Sequence, residues 1–317
     1  MQGVILAAGK GSRLQPITLN RSKAMLPILG KPIVERVMED LAANQVRDFI
    51  LVVSPDDCHI THHFRCESQI NADIRFVYQP KRNGMADALL RAAPLIEGDF
   101  ILSACDNLIS ADHVRSILQR WQQTPRPNAI LTLMEVEPAE IPNTGIVEIH
   151  ESWITRIVEK PKLEDAPSNI SSLPLYCFTP RLLDYLPEVP LSPRGEYELQ
   201  DAIQMLIDQE GRVCGIMAAS RLTLTSPADL LTINRHYLTA GDGCPQLAPK
   251  AVGAGTHLIT PLHIESGTVI GANCSIGPDV YIERDCTIGN GVTIQRAVLL
   301  RQSVIPDGAR IIDQVVS

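Results

Sequence analysis

The sequence predicts an α/β protein: a mostly parallel sheet with helices on both faces, followed by a short parallel β-helix. Two patterns carry this prediction. In the N-terminal part, short apolar runs alternate with helix-like segments; in the tail, aliphatic residues recur every six positions.

The runs Gly3 to Ala7, Phe49 to Val53, Ile74 to Tyr78 and Phe100 to Ser103 read as buried strands. Ile33 to Ala43, Met85 to Ala93 and Ala111 to Trp121 read as the helices between them. Strand, helix, strand at this spacing builds parallel pairs joined by crossovers. Such sheets bind ligands beyond the C-terminal ends of their strands, so chemistry is expected in the loops after Ala7, Tyr78 and Ser103. From about residue 125 to 235, strands (Ala129 to Glu135, Gly145 to Ile149, Ile154 to Val158) and helices (Glu198 to Gln209, Pro227 to Tyr237) extend the same domain.

In the tail, Ile264, Ile270, Ile276, Ile282, Ile288, Ile294 and Leu300 keep a step of six. Cys274, Val280, Cys286 and Val292 form a second series with the same step. A period of six fits neither an amphipathic helix nor a two-sided strand. It fits a triangular coil with one short strand per side, aliphatic side chains pointing inward and glycines such as Gly271, Gly277 and Gly289 at the corners. The predicted division is 1–240 and 250–317, with the boundary in Gly241 to Pro249.

Composition narrows the partners. A chain of 317 residues that is 45% hydrophobic and 20% charged has material for two folded domains and is not disordered. Its 36 acidic against 28 basic side chains, net charge -8, argue against nucleic acid as the partner. The eight cysteines include no CxxC pair and read as reduced core thiols of a cytoplasmic protein. The apolar run Val4 to Ala8 is too short for a secretory leader or a membrane span, and neither is predicted. His59, His62 and His63 cluster without a Cys or carboxylate in a convincing pattern and are not read as a metal site.

Val4 to Leu14 is a strand running into a glycine loop that ends in Arg13. Glycines let backbone N–H groups approach a triphosphate, and an arginine adds a charge-assisted clamp. The third glycine of a GxGxxG fingerprint is missing, Leu14 taking its place, and no GK[ST] closes a P-loop.

AAGKGSRLQPIT followed by SKAMLPILGKP resembles the signature of the sugar-1-phosphate nucleotidylyltransferases, among them glucose-1-phosphate thymidylyl- and uridylyltransferases. The likeness continues through Gln79 with Gly84 to Ala88, Leu102 to Asn107, Gly145 to Val147, Val158 to Pro161, Ser168-Asn169 and Gly195 to Leu199. It implies a Rossmann-like nucleotidyltransferase domain and a left-handed hexapeptide β-helix. The implied reaction is attack by a sugar 1-phosphate on the α-phosphorus of an NTP, with Mg2+ and release of pyrophosphate. It implies nucleotide contacts at Leu6, Ala8, Gly9, Gly11, Ser12 and Arg13, with Gln79 and Gly84 at the base. Gln79 suits uracil or thymine through paired amide contacts, so UTP or dTTP is favoured; glucose 1-phosphate is the default acceptor. Arg13, Lys23, Asp106 and Lys160 would be catalytic, with Asp106 on the metal and Lys160 on the acceptor phosphate. Gly145, Glu159, Asn169 and Tyr176 would join Lys160 at the sugar.

The pattern also breaks. Thr223 stands where the resemblance places a second metal carboxylate, Pro174 where a glycine precedes a strand ending in Tyr176, and Cys105 where a glycine precedes Asp106. Three readings are open: an enzyme working with one carboxylate, one reshaped for an unusual sugar phosphate, or a catalytically impaired nucleotide-binding homologue. Asp229 is a candidate replacement ligand. Hexapeptide tails also build acyltransferases, but His257 and His263 lie only at this tail's entrance. A packing role and a homo-oligomer are expected instead, because an open coil end must be capped or paired.

Overall fold

The computed structural model describes residues 1–240 and 247–317; the first six residues of the expected boundary, Gly241 to Gln246, and with them Cys244, lie outside the described residues. The chain forms two compact units. One holds residues 1–9 and 34–221, the other 10–33 and 222–317.

The first unit is built on β1 (Gln2–Leu6), α1 (Ile33–Ala42), β2 (Asp48–Val53), α2 (Cys58–Cys66), β3 (Asp73–Tyr78), α3 (Met85–Ala92), β4 (Phe100–Ala104) and α4 (Ala111–Trp121). It continues through β5 (Ala129–Glu135), β6 (Gly145–His150), β7 (Trp153–Glu159), β8 (Ile170–Phe178), α5 (Arg181–Tyr185), α6 (Leu199–Glu210) and β9 (Val213–Met217). Among the described residues these strands form one nine-stranded sheet, in the order β7-β6-β8-β4-β1-β2-β3, with β5 also on β8 and β9 on β5. β1 lies between β2 and β4, parallel to both, and β3 continues parallel on β2. β8 runs antiparallel to β4, β5 and β6. The strands of the middle segment therefore extend the same sheet, whereas the helix expected at Pro227 to Tyr237 falls in the second unit.

Local chemistry sets the helices. α1 buries Val34, Val37, Met38 and Leu41, an apolar stripe of helical period. α4 starts at Ser110, whose Oγ accepts the His113 N–H at 3.4 Å, so Ser110 and not Asp106 caps it. α2, absent from the sequence reading, is capped by Asp57, which accepts the Ile60 N–H at 3.3 Å.

His63 of α2 is buried, with Nε2 on Glu35 and Nδ1 at 3.0 Å from Glu67. A carboxylate can only accept, so both ring nitrogens must carry protons to satisfy these contacts. Burial opposes that charge, but the hydrogen bonds that the ring donates to Glu35 and Glu67 prevail and raise the pKa above 6.5. A raised folded pKa gives stability that is complete below the unfolded value and is lost as pH rises through the folded one. The gap in denaturant midpoint between wild type and His63→Gln should therefore narrow from roughly pH 6 to pH 8. A gap that stays constant or widens over that range would contradict this account.

In the second unit the tail forms three parallel sheets of four short strands each, as in a left-handed β-helix. Both six-step series point inward: Ile264, Ile276 and Ile294 are buried beside Cys274, Val280, Cys286 and Val292. The repeat loses one residue in each of its last two coils. Ile282 stacks on Leu299, not on the expected Leu300, because Arg296 alone turns a corner that Pro278 and Asp279 turn one coil earlier. Leu299 in turn stacks on Val316. Leu300 is nonetheless buried.

α7 (Pro227–Ala240) lies in the same unit as a hairpin of Pro27–Ile28 and Lys31–Pro32. Asn234 of α7 accepts the Leu29 N–H at 3.0 Å and donates to the Pro27 carbonyl at 3.2 Å. The Gly30 N–H donates to the Tyr281 hydroxyl at 3.2 Å, which in turn donates to Glu265. Arg21 pairs with Glu283 at 3.0 Å, both nearly buried. His263 packs on Tyr281 with ring centroids 5.5 Å apart, whereas His257 is exposed in a different sheet. Cys105, Cys177, Cys214, Cys274 and Cys286 are buried without disulfides; Cys58 and Cys66 are exposed on α2, not in the core as expected.

Candidate active site

β1 delivers Ala7, Ala8 and Gly9 to the C-terminal edge of the sheet. A cavity of about 220 Å³ opens there, lined by Leu6, Ala8, Gly9, Gln79 and Gly84 together with Arg82, Met85 and Glu196. The first five are the expected nucleotide contacts that belong to this unit.

Gly84 has φ +106°, and a Cβ there would sit 2.4 Å from the Tyr197 carbonyl oxygen. The Tyr197 N–H donates to Asn83 at 2.6 Å and its carbonyl accepts the Ala86 N–H at 3.0 Å, which stitches this loop to the start of α3. Gln79 donates from Nε2 to Asp87 at 2.8 Å and to the Gly84 carbonyl at 3.0 Å. Both amide hydrogens are thus committed, which corrects the expectation of paired amide contacts: Gln79 can offer a base only its Oε1. Arg82, missed in the sequence reading, donates to the Ala8 carbonyl at 2.8 Å and to Ser54 at 3.1 Å. The signal for it was Lys81-Arg82-Asn83-Gly84, a basic pair before a glycine turn and a helix start.

The second unit holds Gly11, Ser12, Arg13 and Lys23. Gly11 is left-handed, φ +66°, and a Cβ on it would lie 2.9 Å from the Lys23 Cβ. Its carbonyl accepts from Thr18 Oγ1 at 2.9 Å, and Ser12–Leu14 follow as a single 3-10 turn with Arg13 exposed. The sequence-distant Lys23 thereby lies against the glycine loop. Thr223 forms a short strand with Leu222 in this unit. Asp229, the candidate replacement ligand, uses its Oδ2 to accept the Thr225 and Ser226 N–H groups, both at 2.7 Å, at the start of α7. Burial raises its pKa, but these bonds overcome that and hold it below the ordinary value.

Back in the first unit, the expected sugar residues gather around β6 and β8. A Cβ on Gly145 would lie 3.1 Å from both Glu159 Oε2 and Ser172 Oγ. The Ser172 hydroxyl is 3.0 Å from the Tyr176 hydroxyl, and Lys160 Nζ is 3.2 Å from Glu159 Oε1. Glu159 Oε2 is buried with no protein partner among the described residues. Burial lifts the Glu159 pKa, and Lys160 offsets part of the rise. Such an acceptor beside a bare glycine suits a hydroxylated ligand. Asn169 does not join the group through its side chain: it is exposed, and its carbonyl accepts the Val136 N–H at 3.0 Å. β8 also runs past Tyr176 to Phe178, with Pro174 inside it at a register shift and not ahead of it.

Asp106 follows the end of β4 in a partly exposed turn. Among the described residues, no three His, Cys, Asp or Glu side chains form a metal cage. The donor set fits a Mg2+ held by one carboxylate and completed by phosphate oxygens and water.

A family model described as nucleotidyl transferase matches residues 2–238. The chain belongs to this family. Residues 258–317 of this nucleotidyl transferase match a second model, described as GMPPB C-terminal domain. The chain is 34% identical over 240 residues to bifunctional protein GlmU of Methanococcus maripaludis, covering 75% of this chain and 54% of GlmU. It thus spans about half the length of that relative. It is 33% identical over 232 residues to the UTP–glucose-1-phosphate uridylyltransferase AglF of Haloferax volcanii, covering 72% of this chain and 93% of AglF. A UDP-glucose pyrophosphorylase solved with UDP-glucose superposes with a TM-score of 0.67 at 23% identity, covering 75% of this chain and 98% of that one. UTP-bound UGPase from Acinetobacter baumannii gives 0.66 at 22% identity, covering 75% and 93%. At these identities the solved structures establish the fold. Among the described residues no helix is long and apolar enough to cross a membrane.

Proposed function

We propose that the protein transfers a nucleotidyl group from UTP or dTTP to a sugar 1-phosphate, glucose 1-phosphate being the first candidate, with release of pyrophosphate. The observation that carries this reading is the cavity in which Leu6, Ala8, Gly9, Gln79 and Gly84 converge. Gln79 Oε1 accepts the N3–H of a pyrimidine, and the glycine loop gives a triphosphate close access to backbone N–H groups. Arg13 holds the β- and γ-phosphates and Lys23 the α-phosphate. Lys160 holds the acceptor phosphate, while Gly145, Glu159 and Tyr176 face the sugar. No protein nucleophile is required: the acceptor oxygen is already anionic, so these groups position two anions and neutralise their repulsion. Mg2+, held by Asp106, supplies further positive charge when bound. The enzyme is taken to act in the cytoplasm as a homo-oligomer.

The relatives' printed activities support this reading, AglF in particular, because this chain covers most of that enzyme. A second reading, a nucleotide-binding homologue without turnover, is favoured by Thr223 in place of an acid. Pyrophosphate release, measured with Mg2+, each NTP and a panel of sugar 1-phosphates, separates the two. The expected result is a rate that requires both substrates and is highest with a pyrimidine nucleotide. Tight NTP binding with no turnover for any pair would select the second reading.

A further inference from the structure

The stretch 10–33, which carries Gly11, Arg13 and Lys23, belongs to the same unit as the β-helix. Arg21 ties the two together. Its Nη1 donates to Glu283 Oε1 at 3.0 Å, and the two side chains are only 8% and 9% exposed, so salt and water screen the pair weakly. The carboxylate is itself fixed. Its Oε2 accepts the Arg301 N–H of the next coil at 2.7 Å, and the Glu283 N–H donates to the Leu299 carbonyl at 2.9 Å. Arg21 therefore meets a charge set into the backbone ladder of the coil.

Lys23 stands two residues beyond Arg21. Ser22 opens the single 3-10 turn Lys23–Met25. The Met25 N–H donates to the Ser22 carbonyl at 3.0 Å, and the Leu26 N–H to the Lys23 carbonyl at 3.1 Å. Ala24 and Leu26 are fully buried, so packing holds the turn from below. A displaced Arg21 thus drags the start of a closed, packed turn, and Lys23 moves with it. Placement matters at a phosphorus under attack, where an error of about 1 Å can cost 10²-fold in rate.

We propose that Arg21 and Glu283 are positioning residues for Lys23: through this buried pair the β-helix sets where the lysine meets the α-phosphate. This rests on the assignment of Lys23 given above. Neither member of the pair touches substrate.

The test is steady-state pyrophosphate release by the full-length protein, with Mg2+ and the substrate pair that turns over fastest, well below the melting temperature of each variant. Arg21→Met and Glu283→Gln should each lower kcat by roughly 10- to 50-fold, with the KM for the nucleotide changed less than about threefold. Arg21→Lys, which keeps the charge and loses the fork, should fall between wild type and Arg21→Met. In the Lys23→Ala background, where nothing is left to position, Arg21→Met should cost less than about threefold. Tyr281→Phe removes the hydroxyl that accepts the Gly30 N–H, another tie between the same stretch and the β-helix, and should lower stability while leaving kcat within about twofold. Full multiplication of the Arg21→Met and Lys23→Ala losses would show that Arg21 acts independently of Lys23 and overturns the proposal. Equal loss of kcat in Tyr281→Phe would reduce the effect to general loosening and overturns it too. Wild-type kcat in Arg21→Met and Glu283→Gln overturns it but leaves the assignment of Lys23 standing. Wild-type kcat in Lys23→Ala, or no turnover by the wild type with any substrate pair, removes that assignment and this proposal together.

Discussion

Asp106→Ala is expected to lower pyrophosphate release by about 10²- to 10³-fold at saturating Mg2+, the scale of losing a preorganised charge-stabilising group. The partial exposure of Asp106 and its place in a turn argue that this loss comes from chemistry and not from unfolding. The cap of α4 belongs to Ser110, so truncating Asp106 leaves that helix start in place. Thermal stability should therefore shift little, and NTP binding measured without metal should survive. Asp106→Asn separates charge from shape, because an amide fills the same space but is a weak Mg2+ ligand; it should behave like the alanine variant. Retention of more than about a tenth of wild-type turnover by either variant would exclude Asp106 as the principal metal ligand.

Gly84→Ala is expected to cost about 3 kcal/mol or more of stability and to abolish nucleotide binding. Two independent penalties meet at this position. With φ +106° and ψ 175° the backbone lies in a region open essentially to glycine alone, which costs of order 1–3 kcal/mol for any other residue. The added Cβ would also lie 2.4 Å from the Tyr197 carbonyl oxygen and 2.7 Å from its nitrogen, which are backbone atoms that cannot rotate away. Moving Tyr197 would disturb its bonds to Asn83 and Ala86 and tilt the wall of the cavity. For a unit of this size the loss corresponds to a melting temperature lower by roughly 6–12 °C. A variant that melts like wild type and binds UTP normally would show that this loop relaxes at little cost.

The parallel half of the sheet was legible because its strands are continuous apolar runs separated by capped, amphipathic helices; α4 matches its expected limits, Ala111 and Trp121. β8 was harder to see. Pro174 reads as a strand breaker, yet the strand accommodates it where pairing to β5 shifts register between Leu173 and Tyr176. β9 is interrupted by Gly215, whose missing side chain makes room for Leu133; a Cβ there would lie 2.0 Å from Leu133 Cδ1. α2, rich in histidine, lacks the apolar stripe that reveals α1, and only its Asp57 cap signals it. At the site, motif residues announced themselves, but their hydrogen-bond partners did not. That Asp87 commits the Gln79 amide, and that Arg82 bonds Ala8, depend on contacts made between separate elements, to which a linear pattern is blind.

The tie between Arg21 and Glu283 joins positions 262 residues apart, and that between Gly30 and Tyr281 joins positions 251 apart. During synthesis at about 5–20 residues per second, Glu283 emerges roughly 10–50 s after Arg21. The stretch bearing Arg13 and Lys23 leaves the ribosome well before the β-helix that supplies the partners of Arg21 and Gly30. β1 to β3 can pair while translation continues, whereas this stretch must wait, so the part of the chain assigned to the triphosphate is completed only when the tail has been made.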